Sequence, residues 1–299
     1  MARLIDNSYG KSEVRLSKVV RSGSTHTLFE FAVQIMLGGA FERLYTQGDN
    51  SLCIPTDTMK NTVFALAKKS DFASPEEFAA ILVAHFLDRF DHVGWAEASI
   101  RQTLWARIPV GGRPHDFAFT KGGSDSRTAR VRAERGGELE VTGGLTGLEI
   151  LKSSGSSFVG FLKDEYTTLP EASDRIFATT VDATWTYAPA ASAGLHRPNR
   201  MSREPAEQAL NFNSLFEEAR RTILELFATH DSKSVQQTIY AIGEAILARQ
   251  PAVSTIDIAM PNQHRLLVNL APFGLENANE IFVATSEPFG IIKGSVARE

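Results

Sequence analysis

Phe158 and Arg175 stand seventeen positions apart in the Ser-, Gly- and Thr-rich stretch LKSSGSSFVGFLKDEYTTLPEASDR, residues 151–175. A phenyl ring supplies a flat stacking face, and a guanidinium supplies a planar fork of donors that fits a carboxylate, a phosphate or an anionic heterocycle. Together they could grip a flat anion. The same residues equally suit a turn-rich connection with Phe158 in the core and Arg175 in a surface ion pair, so spacing alone leaves both readings open. Metal chemistry finds little support: His26, His196 and His230 stand in loop-like stretches, while His85 and His92, with Asp88 between them, share a helical face only if their helix runs on to residue 92. No phosphate-cradling glycine loop and no dinucleotide fingerprint is present. If this chain is an enzyme, it must work without the common cofactor motifs.

The elements that must hold these residues are legible in the periodicity. Val14, Leu16 and Val19 suggest a first strand; Phe29, Phe31, Val33, Ile35 and Leu37 alternate with Leu28, Glu30, Ala32, Gln34 and Met36, predicting a second strand with one apolar face. Thr56-Asp57-Thr58 reads as an N-cap cluster before a helix over 59–69. Ser74-Pro75-Glu76-Glu77 is a stronger start, with Ser as cap, Pro at the first helical position and Glu77 closing a capping box; this helix should run to about Phe90 and bury Phe78, Ile81, Leu82 and Phe86. Residues 97–109 and 126–142 return to strand-like alternation through turns such as Val110-Gly111-Gly112-Arg113-Pro114.

The order then repeats. Val181, Ala183, Trp185 and Tyr187 alternate as a strand, Ser214-Leu215-Phe216-Glu217 predicts a capping box for a helix to about Ala228, and Ser234 opens a helix with Val235, Ile239, Ile242 and Ile246 as its stripe. Strands over 256–260, 265–270 and 281–283 follow. The pattern is two tandem ββααββ units, 1–140 and 141–299, each an antiparallel sheet with helices on one face: an α+β fold. Open sheet edges of this kind call for partners, which makes a closed, barrel-like oligomer the expectation. The Ala/Pro/Ser/Arg-rich stretch 188–208 reads as a mobile loop without an assigned function.

A length of 299 residues suits one large domain or two of about 150, and 43% hydrophobic content is ample for packed cores. A net charge of −4 argues against a general nucleic-acid binder, though a local cationic pocket can still take a small anion. The single cysteine, Cys53, excludes an internal disulfide framework and multi-cysteine metal sites. The start MARLIDNSYGK has no signal-like apolar stretch, no run approaches ~20 apolar residues, and the final Val296-Ala297-Arg298-Glu299 is not a peroxisomal tripeptide. A cytoplasmic protein is expected.

The elements K-S-S-x-S-x-F-x-G-F (Lys152 to Phe161), D-x-Y-T-T-L (Asp164 to Leu169) and D-R (Asp174-Arg175) resemble the urate oxidase (uricase) family. Further segments resemble it in the same order: Tyr9-Gly10-Lys11, Thr56-Asp57-Thr58 before Lys60-Asn61-Thr62, Ser234-Val235-Gln236 followed by Thr238 and Tyr240, and Pro261-Asn262-Gln263-His264. Each is weak alone; in order they cover nearly the whole chain apart from 188–208. The resemblance implies the tunnelling fold (T-fold), with dimers closing a barrel and two dimers stacking into a homotetramer whose active sites lie between subunits. It implies oxidation of urate by O2 and water to 5-hydroxyisourate and H2O2, with no metal or organic cofactor.

Carried over residue by residue, the resemblance implies that Phe158 stacks on the purine, Arg175 and Gln236 grip it, the Val235 backbone N–H adds a bond and Leu169 lines the pocket. Val235 falls at a helix start, where free N–H groups and the helix dipole favour an anion. Thr56 and Asp57 would reach in from a neighbouring chain, and Asn262 with Thr56 would hold O2, peroxide or water above the ring. Lys11, Thr56 and His264 resemble the family's proton relay: a Thr hydroxyl needs a neighbour to take its proton, and a desolvated lysine can serve. By themselves a lysine near the N-terminus, an N-cap Thr and a strand-end His suit structural roles as well. Departures are Gln263 where relatives often carry Lys, Arg265 where an aromatic is common, Pro55 before Thr56, and a short C-terminus. Pterin-handling T-fold enzymes are the alternative enzyme class, but they typically anchor the ring with Glu; a non-catalytic purine binder is the other alternative, and it could dispense with Lys11, Thr56 or His264.

Overall fold

The computed structural model describes residues 2–189, 195, 210–285 and 287–299, which form two compact units: Met1–Gly144 with Trp185–Phe216, and Leu145–Thr184 with Glu217–Glu299. In the first unit, β1 (Tyr9–Ser22), β2 (Thr25–Gly39), β3 (Val93–Val110) and β4 (Arg113–Glu134) pair antiparallel in that order. Between β2 and β3 lie α1 (Glu42–Gln47), α2 (Thr56–Lys69) and α3 (Pro75–Arg89). The expected alternation in β2 is present: Phe29, Phe31, Val33, Ile35 and Leu37 are all buried, and each such side chain contributes roughly 1.5–3 kcal/mol. Phe31 and Phe78 stack across this core, so the sheet's apolar face is the one α3 covers.

Helix α3 begins as its sequence predicts. The Ser74 hydroxyl accepts from the Glu77 N–H (3.2 Å), Pro75 occupies the first helical position, and the Glu77 carboxylate reaches back to the Ala73 N–H at 2.7 Å. The helix ends at Arg89, which takes His92 off the face of His85; His92 packs edge-on against Phe41 instead. His26 also differs from expectation and lies on β2. Thr56 and Asp57 are helical rather than capping, since α2 starts at Thr56 with Pro55 before it. Pro55 lacks an N–H and has its φ fixed, which suits the entry to a first turn.

Mostly in the second unit, β5 (Glu140–Lys152), β6 (Phe177–Tyr187), β7 (Val253–Ala259) and β11 (Lys293–Ala297) lie in that order, with α4 (Phe212–Thr229) and α5 (Val235–Arg249) between β6 and β7 in the chain; the start of β5, the end of β6 and the first turn of α4 belong to the first unit. The short strand β8 (Asn262–Gln263) pairs with β6, and β9 (Arg265–Leu267) with β10 (Phe282–Ala284). The fold is α+β as expected, and the order ββααββ recurs apart from the short helix α1, which the sequence reading lacks, and the small strands β8, β9 and β10. Three expectations need correction. The strand-like run 126–142 is two strands broken at a turn containing Gly136, whose φ is +75°. Helix α4 starts at Phe212, and the Asn211 side chain, not Ser214, supplies a cap by accepting from the Ser214 N–H at 3.1 Å. Strand β11, five residues (KGSVA) with one large apolar side chain, is legible only in its pairing with β7. Of 188–208, only Ala188, Pro189 and Leu195 fall within the described residues, and His196 falls outside them. Among the described residues, no helix is long and apolar enough to cross a membrane.

A buried polar group locks the first unit. Arg127, 4% exposed, donates to Glu76, 0% exposed, at 2.7 Å, and also to the Asn213 side chain (2.6 Å) and the Phe212 carbonyl (3.0 Å). Burial pushes the Glu76 carboxyl up against the pull of Arg127, and burial followed by the nearby Glu76 charge pushes the Tyr187 phenol up. Removing one partner of such a pair strands a buried charge. Arg127→Met is therefore expected to cost about 3–5 kcal/mol in urea unfolding, whereas a loss under about 1 kcal/mol would show the pair to be dispensable.

Candidate active site

The stretch around Phe158 is held by backbone bonds to two other parts of the second unit. The Ser157 N–H donates to the Ser232 carbonyl (2.8 Å), and the Ser232 N–H donates to the Gly155 carbonyl (3.0 Å). The Arg175 N–H donates to the Ser156 carbonyl at 2.8 Å, while Phe158 and Ala172 exchange bonds of 2.8 and 3.0 Å. One short segment thus ties the Phe158 ring, Arg175 and the lead-in to α5 together. Ser156, Ser157 and Ser232 are buried, and the Ser232 hydroxyl lies 2.8 Å from that of Thr238 inside α5.

Helix α5 starts where the sequence predicts. The Ser234 hydroxyl caps the Gln237 N–H (3.2 Å), and the Gln237 side chain accepts from the Lys233 N–H at 2.9 Å. Val235 and Gln236 are the first two helical residues, whose N–H groups have no acceptor within the helix. Val235 is buried and Gln236 exposed, so the backbone donor is fixed and the carboxamide is free to swing.

Arg175 is half-buried, and its Cζ lies 5.2 Å from the centroid of the Phe158 ring. Burial lowers the guanidinium from its ordinary value, yet a group of this basicity remains charged. Among the described residues no carboxylate pairs with it. Its neighbour Asp174 is turned away, accepting from the Ser154 hydroxyl (2.5 Å), the Gly155 N–H (2.8 Å) and the Ser156 N–H (3.3 Å). Those bonds, the Ser154 hydroxyl first, hold the Asp174 carboxyl below the usual carboxylate range. Phe161 stacks parallel to Phe158 at 4.8 Å and 11°, the geometry a flat π partner adopts on that ring. Leu169 stays 53% exposed on the same loop.

On β6, which begins two residues after Arg175, Thr179 pairs with Asn262, whose N–H donates to the Gly290 carbonyl at 2.8 Å. Gln263 is anchored through its side chain to Thr180 (2.7 Å). The His264 carbonyl accepts from the Thr285 N–H (3.2 Å) and from Arg265 (3.1 Å), so the chain on both sides of the imidazole is fixed. Gln263 and Arg265, the departures in this segment, thereby secure its backbone.

The remaining expected residues sit together in the first unit. The Tyr9 hydroxyl accepts from the Ile54 N–H at 2.8 Å, joining the start of β1 to the residues before α2. Burial, partly offset by that bond, pushes the Tyr9 phenol up to about 12, so it stays protonated. Gly10 packs against β2 so closely that a Cβ there would lie 1.8 Å from the Ile35 carbonyl oxygen. Lys11 pairs with Ile35 immediately before a bulge, where one extra residue between Lys11 and Val14 shifts the register of β1 against β2. Asp57 accepts from Lys60 and from Asn61 (2.9 Å). The Lys60 bond and charge, then the Asn61 bond, then the Lys11 charge hold the Asp57 carboxyl low, which places Lys11 within electrostatic reach of the first turn of α2.

Tyr9 and Asp174 carry roles the sequence reading did not assign, although both lie in segments it singled out. A surface cavity of about 340 Å³ in the first unit is lined by Arg15, Glu30, Arg101 and Thr103 among others, and none of the expected residues borders it. Its two cations are already paired with Glu13.

A family model described as "Uricase" matches residues 7–132 and 141–293, leaving out the turn region between β4 and β5 and six residues at each end. The uricase of Schizosaccharomyces pombe is 37% identical over 98% of this chain and 97% of its own. The chain belongs to the uricase family. The crystal structure of the uricase from Arthrobacter globiformis superposes with a TM-score of 0.88 at 38% identity, covering 100% of this chain and 96% of the other. The urate oxidase of Bacillus sp. TB-90 gives a TM-score of 0.81 at 26% identity, covering 98% of this chain and 100% of the other. These structures share the α+β architecture expected here.

Proposed function

We propose that the protein is a urate oxidase, converting urate, O2 and H2O to 5-hydroxyisourate and H2O2. The observation that carries this reading is the half-buried Arg175 guanidinium, left without a carboxylate partner among the described residues, beside the Phe158 ring and tied through Ser156 and Ser232 to the start of α5. A flat anion can stack on Phe158, accept from Arg175, Gln236 and the Val235 N–H, and lie against Leu169. Arginine's planar fork matches the paired acceptors of a purine anion.

Chemistry follows from the substrate's own electrons. The urate anion is electron-rich enough to reduce O2, so a resident metal or flavin is not required; the protein has to stabilise the anion, place the gas and move protons. In this account the active unit is a homotetramer of T-fold barrels. The partner subunit's Lys11, the partner subunit's Thr56 and the partner subunit's Asp57 complete each site. Asn262 and the partner subunit's Thr56 hold O2 and then water above the ring. The partner subunit's Lys11 takes the proton of the partner subunit's Thr56, and His264 carries protons to and from bulk water. The lone Cys53 fits a reducing cytoplasm.

The test separates binding from chemistry. Under nitrogen, urate should bind the protein unchanged, and admitting air should consume it with matching O2 uptake. Binding without consumption in air would leave a purine-binding protein and not an oxidase.

A further inference from the structure

We propose that Asp174 is a positioning residue for the substrate pocket: by bonding the Ser154–Ser156 turn instead of the Arg175 side chain, it sets the segment that carries Phe158 and leaves the guanidinium free for a substrate anion. The inference rests on the assignment of urate as that anion.

Adjacent residues of opposite charge are natural partners, yet here the carboxylate faces the other way. Its Oδ2 accepts from the Ser154 hydroxyl at 2.5 Å, and its Oδ1 accepts from the N–H groups of Gly155 (2.8 Å) and Ser156 (3.3 Å). An ionised carboxylate is the side chain best suited to take three donors at once, since it has only acceptors to offer. The turn it gathers requires a left-handed residue, and Gly155 supplies it with φ +74°. Every carbonyl of consequence in the turn is then committed: that of Gly155 to the Ser232 N–H, and that of Ser156 to the N–H of Arg175 itself. The Asp174 carboxylate therefore acts on the backbone of Arg175 and on the approach to α5 through the same three residues.

Asp174, Ser154 and Gly155 are exposed, so water can satisfy two of the three released donors if the carboxylate is lost; only the N–H of the buried Ser156 is left to find another acceptor. The fold should survive and the geometry of the pocket should not. Asp174→Ala is expected to weaken anaerobic urate binding, read by equilibrium dialysis, by roughly tenfold or more. Its kcat at saturating urate in air should stay within about threefold, and its melting temperature within a few degrees. Asp174→Asn keeps one oxygen for the Gly155 and Ser156 donors and should recover part of the loss. In an Arg175→Ala background the Asp174→Ala change should add less than about twofold, because its effect passes through the Arg175 grip.

Unchanged binding in Asp174→Ala overturns the proposal, as does full additivity in the double variant or a fall in kcat with binding intact. If the Ala variant does not fold, Asp174→Asn decides the matter: binding equal to the unaltered protein in that variant counts against a positioning role. Failure of the unaltered protein to bind urate is a separate result, which overturns the urate reading and this inference with it.

Discussion

Lys11→Ala is expected to lower urate turnover by about 10²–10⁴-fold, the usual contribution of a positioned acid or base, while anaerobic urate affinity stays within about threefold. The reason lies in where Lys11 is placed. Tyr9 fastens the start of β1 to Ile54, Lys11 pairs with Ile35 at the edge of a bulge, and its charge is felt by Asp57 in the first turn of α2. None of these contacts belongs to the Phe158 and Arg175 grip. A variant that loses binding and turnover in equal measure would show Lys11 to be a binding cation and would remove it from the relay. Thr56→Ala should behave in the same direction, since a lysine that takes a proton needs the hydroxyl that gives it.

Arg175→Ala is expected to do the opposite. Hydrogen bonds to a charged group contribute about 1.5–3 kcal/mol, so urate affinity should fall by roughly 10- to 150-fold, with the larger part of the change in KM. Stability should change little, because Arg175 has no carboxylate partner among the described residues to leave stranded. Arg175→Lys should recover little of the affinity: an ammonium is a point charge and cannot reproduce two parallel bonds from a planar fork. Urate titrations under nitrogen check both variants, and affinity unchanged in Arg175→Ala would move the anion site elsewhere.

The parts legible in the sequence are those whose determinants are local. Ser74, Pro75 and Glu77 announce α3 within four residues, and Ser234 announces α5 in the same way. The alternation in β2 names its buried face correctly because a single helical layer covers it. Where determinants are non-local the reading slips. Asn211, not Ser214, caps α4, and β11 exists by virtue of its pairing with β7. The site follows the same division. Residue types picked out Phe158 and Arg175, and the family resemblance supplied roles for Lys11, Thr56, Asn262 and His264. The seam between Ser156 and Ser232, which brings the ring and the helix start together, is a parallel bridge between segments far apart in sequence, and no periodicity encodes it. In the sequence Asp174 is only the first half of the Asp174-Arg175 element, and its hydrogen bonds alone show that its carboxylate turns to the Ser154–Ser156 segment.

Reaction stoichiometry in metal-chelated buffer tests the central claim most directly. The account predicts loss of urate absorbance with one H2O2 formed per urate consumed, at a rate indifferent to the chelator. No urate consumption, or activity abolished by chelation and restored by a metal, would contradict it.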